Sequence, residues 1–256
     1  LGRSQSRTIL PKLRFGGSRI FTNPKESASV PVPAIQILTR RMVHNLSQSN
    51  SLINEFVSEL RDTAIQGDRM RFRRNLERIG EIFAYEISKT LPYVSRDVTT
   101  PLGIANMQVL REQPVVGTIL RAGLPLHQGV LNYFDRADNA FISAYRKHHK
   151  DGTFDIKLEY VSCPSLENRV LILADPMLAT GSSMVMTAKA IRERGNPSHT
   201  HIVAAVASTY GVEFVKSHLP ENVTIWCAAI DDVLTAQSYI VPGLGDAGDL
   251  AYGTKL

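Results

Sequence analysis

A chain of 256 residues with 43% hydrophobic side chains is long enough to bury one substantial core. It has no apolar run approaching the roughly 20 residues that span a bilayer and no apolar signal-peptide core near its start. Its net charge of +5 does not indicate nucleic acid, because residues 1–41 hold eight basic side chains and one acid; the remaining body is slightly acidic and lacks the footprint of a duplex binder.

Residues 1–41 combine Gly, Ser, Pro and Arg without sustained periodicity and are expected to be disordered. An Arg- and Ser-rich, acid-poor start suits an organelle transit peptide; the alternative makes Met42 the initiator and the upstream stretch a non-native extension. One domain is expected over 42–256. From Ser51, the apolar residues Leu52, Ile53, Phe56, Val57, Leu60 and Ile65 fall at helical spacing, with Asn50 or Ser51 as cap. A second helix carries the stripe Leu76, Ile79, Phe83 and Ile87. Arg69, Arg71, Arg73 and Arg74 crowd its start and read as a solvated face, with proximity to an effector or diphosphate site as the alternative.

Beyond Thr99, apolar strands are expected near 115–120, 140–145, 170–174, 202–207 and 224–229, several of them separated by helical stretches. This predicts an α/β fold with a doubly wound, mainly parallel sheet, right-handed crossovers and ligands at the carboxyl ends of the strands. Residues 146–161 read as an extended hairpin overhanging those ends, and the last 25 residues, rich in Gly and Asp, as a hood rather than a core element. Cys163 and Cys227 follow no metal-ligand spacing and are too few for a disulfide framework, which suits a reducing cytoplasm. His127, His148, His149 and His201 are expected to be structural or surface groups.

Chemistry concentrates in residues 170–185, Val-Leu-Ile-Leu-Ala-Asp-Pro-Met-Leu-Ala-Thr-Gly-Ser-Ser-Met-Val. A buried strand ends on Asp175 and turns through small hydroxyl and glycine residues into a helix. Thr180, Gly181, Ser182 and Ser183 would aim backbone N–H groups and hydroxyls at one point, where the helix dipole also favours an anion. An acid beside a phosphate cradle suits sugar hydroxyls or a magnesium ion, so the combination suggests a sugar phosphate. The lysine-bearing Walker pattern and the Gly-x-Gly-x-x-Gly fingerprint are both missing.

Asp175-Pro-Met-Leu-Ala-Thr-Gly-Ser-Ser resembles the phosphoribosyl-diphosphate (PRPP) loop of uracil phosphoribosyltransferases. Ile119-Leu-Arg-Ala-Gly-Leu-Pro resembles their diphosphate loop, and Tyr239-Ile-Val-Pro-Gly-Leu-Gly-Asp-Ala-Gly-Asp their uracil loop, in the same order and spacing. The wording is nearest to enzymes of the Bacteroidetes type. The resemblance implies a type I phosphoribosyltransferase fold and the conversion of uracil and PRPP to UMP and diphosphate in pyrimidine salvage. It implies that Arg121 and Arg146 hold diphosphate and that Asp175 takes the ribose hydroxyls. Pro176, Met177, Leu178, Ala179, Thr180, Gly181, Ser182 and Ser183 would complete the PRPP loop, Ala179 to Ser183 around the 5′-phosphate. Asp246 would be the second acid on the PRPP side, since Pro176 replaces the neighbouring acid of other relatives; by its residues alone it reads equally as a turn residue. Ile240, Gly245, Asp246 and Ala247 would contact uracil, with Tyr239 lining the pocket.

Magnesium would be chelated chiefly by diphosphate and sugar oxygens, with no dedicated protein metal site. The resemblance also implies a homodimer or homotetramer and makes GTP, an activator in parts of the family, a candidate effector. The rival of another class is an RNA-binding pyrimidine regulator on the same scaffold, which would need a basic surface. Purine and orotate transferases share the PRPP loop but should lack the Gly-Leu-Gly-Asp-Ala-Gly segment.

Overall fold

The computed structural model describes residues 43–148 and 154–254, with the side chains of 144–148 and 154–158 outside that description. In chain order the elements are β1 (Val43–Asn45), α1 (Leu52–Arg61), α2 (Arg69–Ser88), β2 (Tyr93–Thr100), β3 (Gly103–Leu110), β4 (Val115–Leu120), α3 (Leu124–Leu131), β5 (Asp138–His148) and β6 (Phe154–Ser162). They continue with β7 (Val170–Ala174), β8 (Met177–Leu178), α4 (Ser182–Ile191), β9 (His199–Ser208), α5 (Thr209–His218), β10 (Val223–Asp231), β11 (Val233–Leu234), β12 (Ile240–Val241) and α6 (Ala247–Tyr252).

The main sheet runs β1-β10-β9-β7-β4-β5-β6, with β8 added beside β9. Every pairing is parallel except β5 with β6. The central strands are apolar on both faces, as a sheet covered twice requires. Alternation then sorts their side chains into two cores. Ile172, Ala174, Val203, Ala205, Trp226 and Ala228 pack with α1, α2 and α3, whereas Leu171, Leu173, Ile202, Ala204, Ile225 and Cys227 pack with α4 and α5. This is the doubly wound, mainly parallel α/β architecture expected.

Ser51 caps α1 by accepting from the Ile53 N–H. The helix stops at Arg61, so Ile65 lies beyond it, and Leu52 is exposed. The stripe Leu76, Ile79, Phe83 and Ile87 of α2 is fully buried. Strand β5 continues to His148 and pairs with β6 through an irregularity at Ser143/Ala144, which gives the extended hairpin over 146–161; its tip and the side chain of Arg146 lie outside the described residues. The antiparallel pair β2–β3 was not foreseen. Most of its residues are exposed, so it lacks the one-sided alternation that marks a half-buried hairpin.

The C-terminal segment has an apolar anchor that its glycine-rich sequence did not lead one to expect. The C-terminal stretch pairs β11 with β12, forms α6, and sends Ile240, Leu244, Ala247 and Ala251 into the same core as α2. Its glycines conceal an apolar anchor at irregular spacing. The expectations for residues 1–41 lie outside the described residues.

Candidate active site at the strand ends

Strands β4 and β7 are neighbours, with Thr118 opposite Ala174. Asp175 and Arg121 therefore leave adjacent strand ends on the same edge of the sheet. The Asp175 N–H donates to the Val203 carbonyl at 3.1 Å, and its Oδ1 accepts from the Met177 N–H at 3.4 Å. Pro176, Met177 and Leu178 do not form a free loop: Met177 and Leu178 make β8, in register with Val206 and Ala207.

The chain then turns through Ala179 and Thr180 to Gly181, whose φ of 78° lies in the left-handed region that favours glycine. Gly181 caps α4 without a side-chain hydrogen bond, leaving the first N–H groups of the helix turned to one end with its positive dipole. Thr180 Oγ1 lies 3.2 Å from Ser182 Oγ and accepts weakly from the Ser182 N–H. Ser208 was not singled out in the sequence. Its Oγ donates to the Ala179 carbonyl at 2.5 Å and accepts from the Gly211 N–H at 2.8 Å, so it caps α5 and fixes the back of the loop at once. A serine at a strand end before a new helix is the signal that could have found it.

Arg121 follows β4 through a cis Leu120–Arg121 peptide. Its Nη2 donates to Asp249 Oδ1 and to the Gly253 carbonyl, both at 2.7 Å, while its buried Nε has no hydrogen-bond partner among the described residues. The diphosphate-loop motif is thus joined to the C-terminal motif. Asp246 caps α6, accepting from the Asp249 N–H at 3.0 Å. Across that motif the side chains diverge. Tyr239 is exposed, whereas Ile240 and Ala247 are turned into the core, so a ligand at Ile240 or Ala247 would meet backbone. Gly245 has φ 94°.

The α2 arginines divide in two. Arg71 pairs with Glu59, and Arg74 with Glu77 and Glu81, as a solvated face would. Arg73 instead donates to the Ala251 carbonyl at 2.7 Å and lies over the Tyr252 ring.

None of the described histidines lies among these groups. His127 Nε2 lies 3.3 Å from the Val116 carbonyl, and burial lowers its pKa. Buried His201 accepts from Trp226 Nε1 at 3.1 Å; burial, with His199 and His44 nearby, pushes its pKa down to about 3. His148's side chain and His149 lie outside the described residues. A cleft of about 550 Å³ beside α3, lined in part by Arg73, Leu124, Gln128, Phe141 and Tyr252, includes none of the residues 175–183. Concavity alone would point away from the strand ends.

The model of the family described as uracil phosphoribosyltransferase matches residues 47–254. A uracil phosphoribosyltransferase of Porphyromonas gingivalis is 56% identical over 214 residues, which cover 84% of this chain and 99% of the relative. One from Methanothermobacter thermautotrophicus is 35% identical over 206 residues, covering 80% and 93%. A solved structure from Aquifex aeolicus superposes with a TM-score of 0.74 at 28% identity, covering 84% of this chain and all of its own.

Proposed function

From the premise that this chain belongs to the uracil phosphoribosyltransferase family, we propose how its residues divide the work of the family's reaction. That reaction transfers the phosphoribosyl group of PRPP to uracil, releasing diphosphate and forming UMP in pyrimidine salvage. The chain is a pentosyltransferase of class EC 2.4.2.9.

The observation that carries the assignment is the meeting of three motifs at one edge of the sheet. The start of α4 and Asp175 leave β7, Arg121 leaves the adjacent β4, and Arg121 grips the C-terminal segment through Asp249 and Gly253. In the proposed arrangement the N–H groups and hydroxyls of Thr180 to Ser183 take the 5′-phosphate. Asp175 accepts from the ribose hydroxyls, where its charge also favours a cationic sugar in the transition state. Arg121 and Arg146 hold the leaving diphosphate with planar forks suited to phosphate oxygens. Arg121 spends one nitrogen on Asp249 and Gly253, so diphosphate held by the rest of its fork would be coupled to the position of α6. The backbone of 240–247 reads the edge of the base, because the side chains of Ile240 and Ala247 are committed to the core. Asp246 faces the PRPP side from the head of α6. Placement and fixed charge supply the rate enhancement.

Magnesium fits this site through the substrate. Magnesium keeps several waters and needs few protein ligands, so its ligands would be diphosphate and sugar oxygens, with waters. Bound there, it would neutralise charge on the leaving group. A homodimer or homotetramer is supported by the β2–β3 hairpin, whose exposed Tyr93, Val94, Ile104 and Met107 leave a two-stranded unit that is marginal alone. A cytoplasmic location accords with the free Cys163 and Cys227; among the described residues no helix is long and apolar enough to cross a membrane.

The test is turnover with uracil, cytosine, orotate and hypoxanthine in the presence of PRPP and magnesium, with and without GTP, scoring UMP and diphosphate. Uracil alone should be converted efficiently. Conversion of orotate or hypoxanthine at a comparable rate would overturn the assignment of the C-terminal segment.

A further inference from the structure

Arg61 closes α1 and Asp231 closes β10, 170 residues apart in the chain. Their side chains, 22% and 10% exposed, meet in a two-pronged ion pair, Arg61 Nη1 to Asp231 Oδ2 at 2.8 Å and Nη2 to Oδ1 at 2.9 Å. Both partners then grip the same loop residue. The Gly243 N–H donates to Asp231 Oδ2 at 2.9 Å, and the Gly243 carbonyl accepts from Arg61 Nη1 at 3.1 Å. Gly243 has φ 56°, and a Cβ there would collide with the Ile240 carbonyl oxygen. Gln66 Nε2 holds the next residue, donating to the Leu244 carbonyl at 3.3 Å.

This ring of hydrogen bonds sits between Ile240 and Gly245, in the stretch whose backbone must present donors and acceptors in fixed register. Neither Arg61 nor Asp231 hydrogen-bonds to the described residues of 176–183. We infer that Arg61 and Asp231 are a positioning pair that sets the register of the base-reading backbone, and with it affinity and selectivity for the pyrimidine, while leaving PRPP handling to the other motifs. The inference rests on the reading of 239–247 as the uracil-binding segment. Its chemistry is specific. An ammonium cannot span a carboxylate and a carbonyl as a guanidinium does, and an Asn at 231 would turn an amide N–H₂ toward guanidinium donors.

The full-length chain is tested as Arg61→Ala, Arg61→Lys and Asp231→Asn, with Gly245→Ala as a probe of the loop itself. At Gly245 only Leu250 Cδ1, at 3.8 Å, stands near an added Cβ, so that change acts through the backbone at positive φ. KM for uracil, KM for PRPP, kcat and the cytosine-to-uracil ratio of kcat/KM are measured, with folding followed by Trp226 fluorescence and melting. Loss of charged hydrogen bonds should raise the uracil KM about 10- to 100-fold in Arg61→Ala and Asp231→Asn. The PRPP KM should stay within about twofold. The cytosine-to-uracil ratio should rise, and Arg61→Lys should recover part of the loss. Should Arg61→Ala not fold, Arg61→Lys and Asp231→Asn carry the same expectation. Parallel rises in both KM values, or a fall in kcat with uracil KM unchanged, would overturn the positioning role. If Gly245→Ala raises the uracil KM while the Arg61 and Asp231 variants do not, this inference alone fails. If Gly245→Ala also leaves it unchanged, the reading of the segment as the base site fails with it.

Discussion

Arg121 and Asp175 stand one strand apart, yet the reaction asks different things of them. In the proposed arrangement Arg121 holds Asp249 and Gly253 with one nitrogen and turns the rest of its fork to charge that grows on the leaving diphosphate. Arg121→Ala should therefore lower kcat/KM for PRPP by on the order of 10² or more, and Arg121→Lys should restore only part, since a single ammonium replaces a fork. Kinetics within about threefold of the parent for the alanine variant would remove Arg121 from the site. In the proposed arrangement Asp175 acts on the sugar. Asp175→Asn keeps an acceptor for the Met177 N–H but loses the charge facing a cationic ribose, so kcat should fall while uracil affinity holds. A variant that loses uracil affinity and keeps its maximal rate would contradict the sugar assignment.

At the scale of elements, the proposed site is two loops with opposite styles of recognition. The start of α4 offers N–H groups suited to any phosphate, and the proposal assigns selectivity to the segment from Tyr239 to Ala247. If that backbone donates to uracil O4 and accepts from N3–H, cytosine places an amino group against the donor and a lone pair against the acceptor. Two buried groups left unpaired, at roughly 1–3 kcal/mol each, permit rejection approaching 10⁴ in kcat/KM, although the two bases are nearly equal in size. Comparable kcat/KM values for cytosine and uracil would refute backbone readout. Because Ile240 is only 4% exposed, substituting it should cost packing and affinity without relaxing base choice.

These elements were unevenly legible in the sequence. The central strands announce themselves as unbroken apolar runs and the α2 stripe by its helical period, and the turn into α4 because small hydroxyl residues follow an acid at a strand end. The β2–β3 hairpin carries no such pattern, since polar residues such as Arg96, Asp97 and Thr99 occupy both of its faces. The C-terminal segment hides its anchor because Ile240, Leu244, Ala247 and Ala251 follow the path of a folded loop rather than a period. Arg61 was invisible as a partner of Asp231, because an ion pair spanning 170 residues leaves no local signature.

For the whole molecule, the sheet divides two cores, and at one of them buried His201 lies in a titratable cluster with the half-buried His44 and His199. His44 stacks on Trp226 with ring centroids 4.0 Å apart, Trp226 Nε1 donates to His201, and the His199 ring lies 4.6 Å from that of His201. Burial lowers the pKa of all three histidines, that of His201 to about 3, while Glu86 partly opposes the shift at His44. A histidine with a depressed folded pKa binds its proton more readily in the unfolded chain. Stability is therefore fully present above the unfolded value of about 6.5 and falls as the pH drops from there toward 3, by up to ~1.4 kcal/mol per unit for His201. Between pH 7 and 5, above most carboxylate titration, His201 alone should cost ~2 kcal/mol. Trp226, the single tryptophan, reports unfolding from within the cluster. Urea melts followed by its fluorescence should show the loss in the parent chain and a shallower dependence in His201→Gln, which keeps an acceptor for the Trp226 N–H but cannot titrate. Equal slopes in the two proteins would show that the acid sensitivity of this core lies elsewhere.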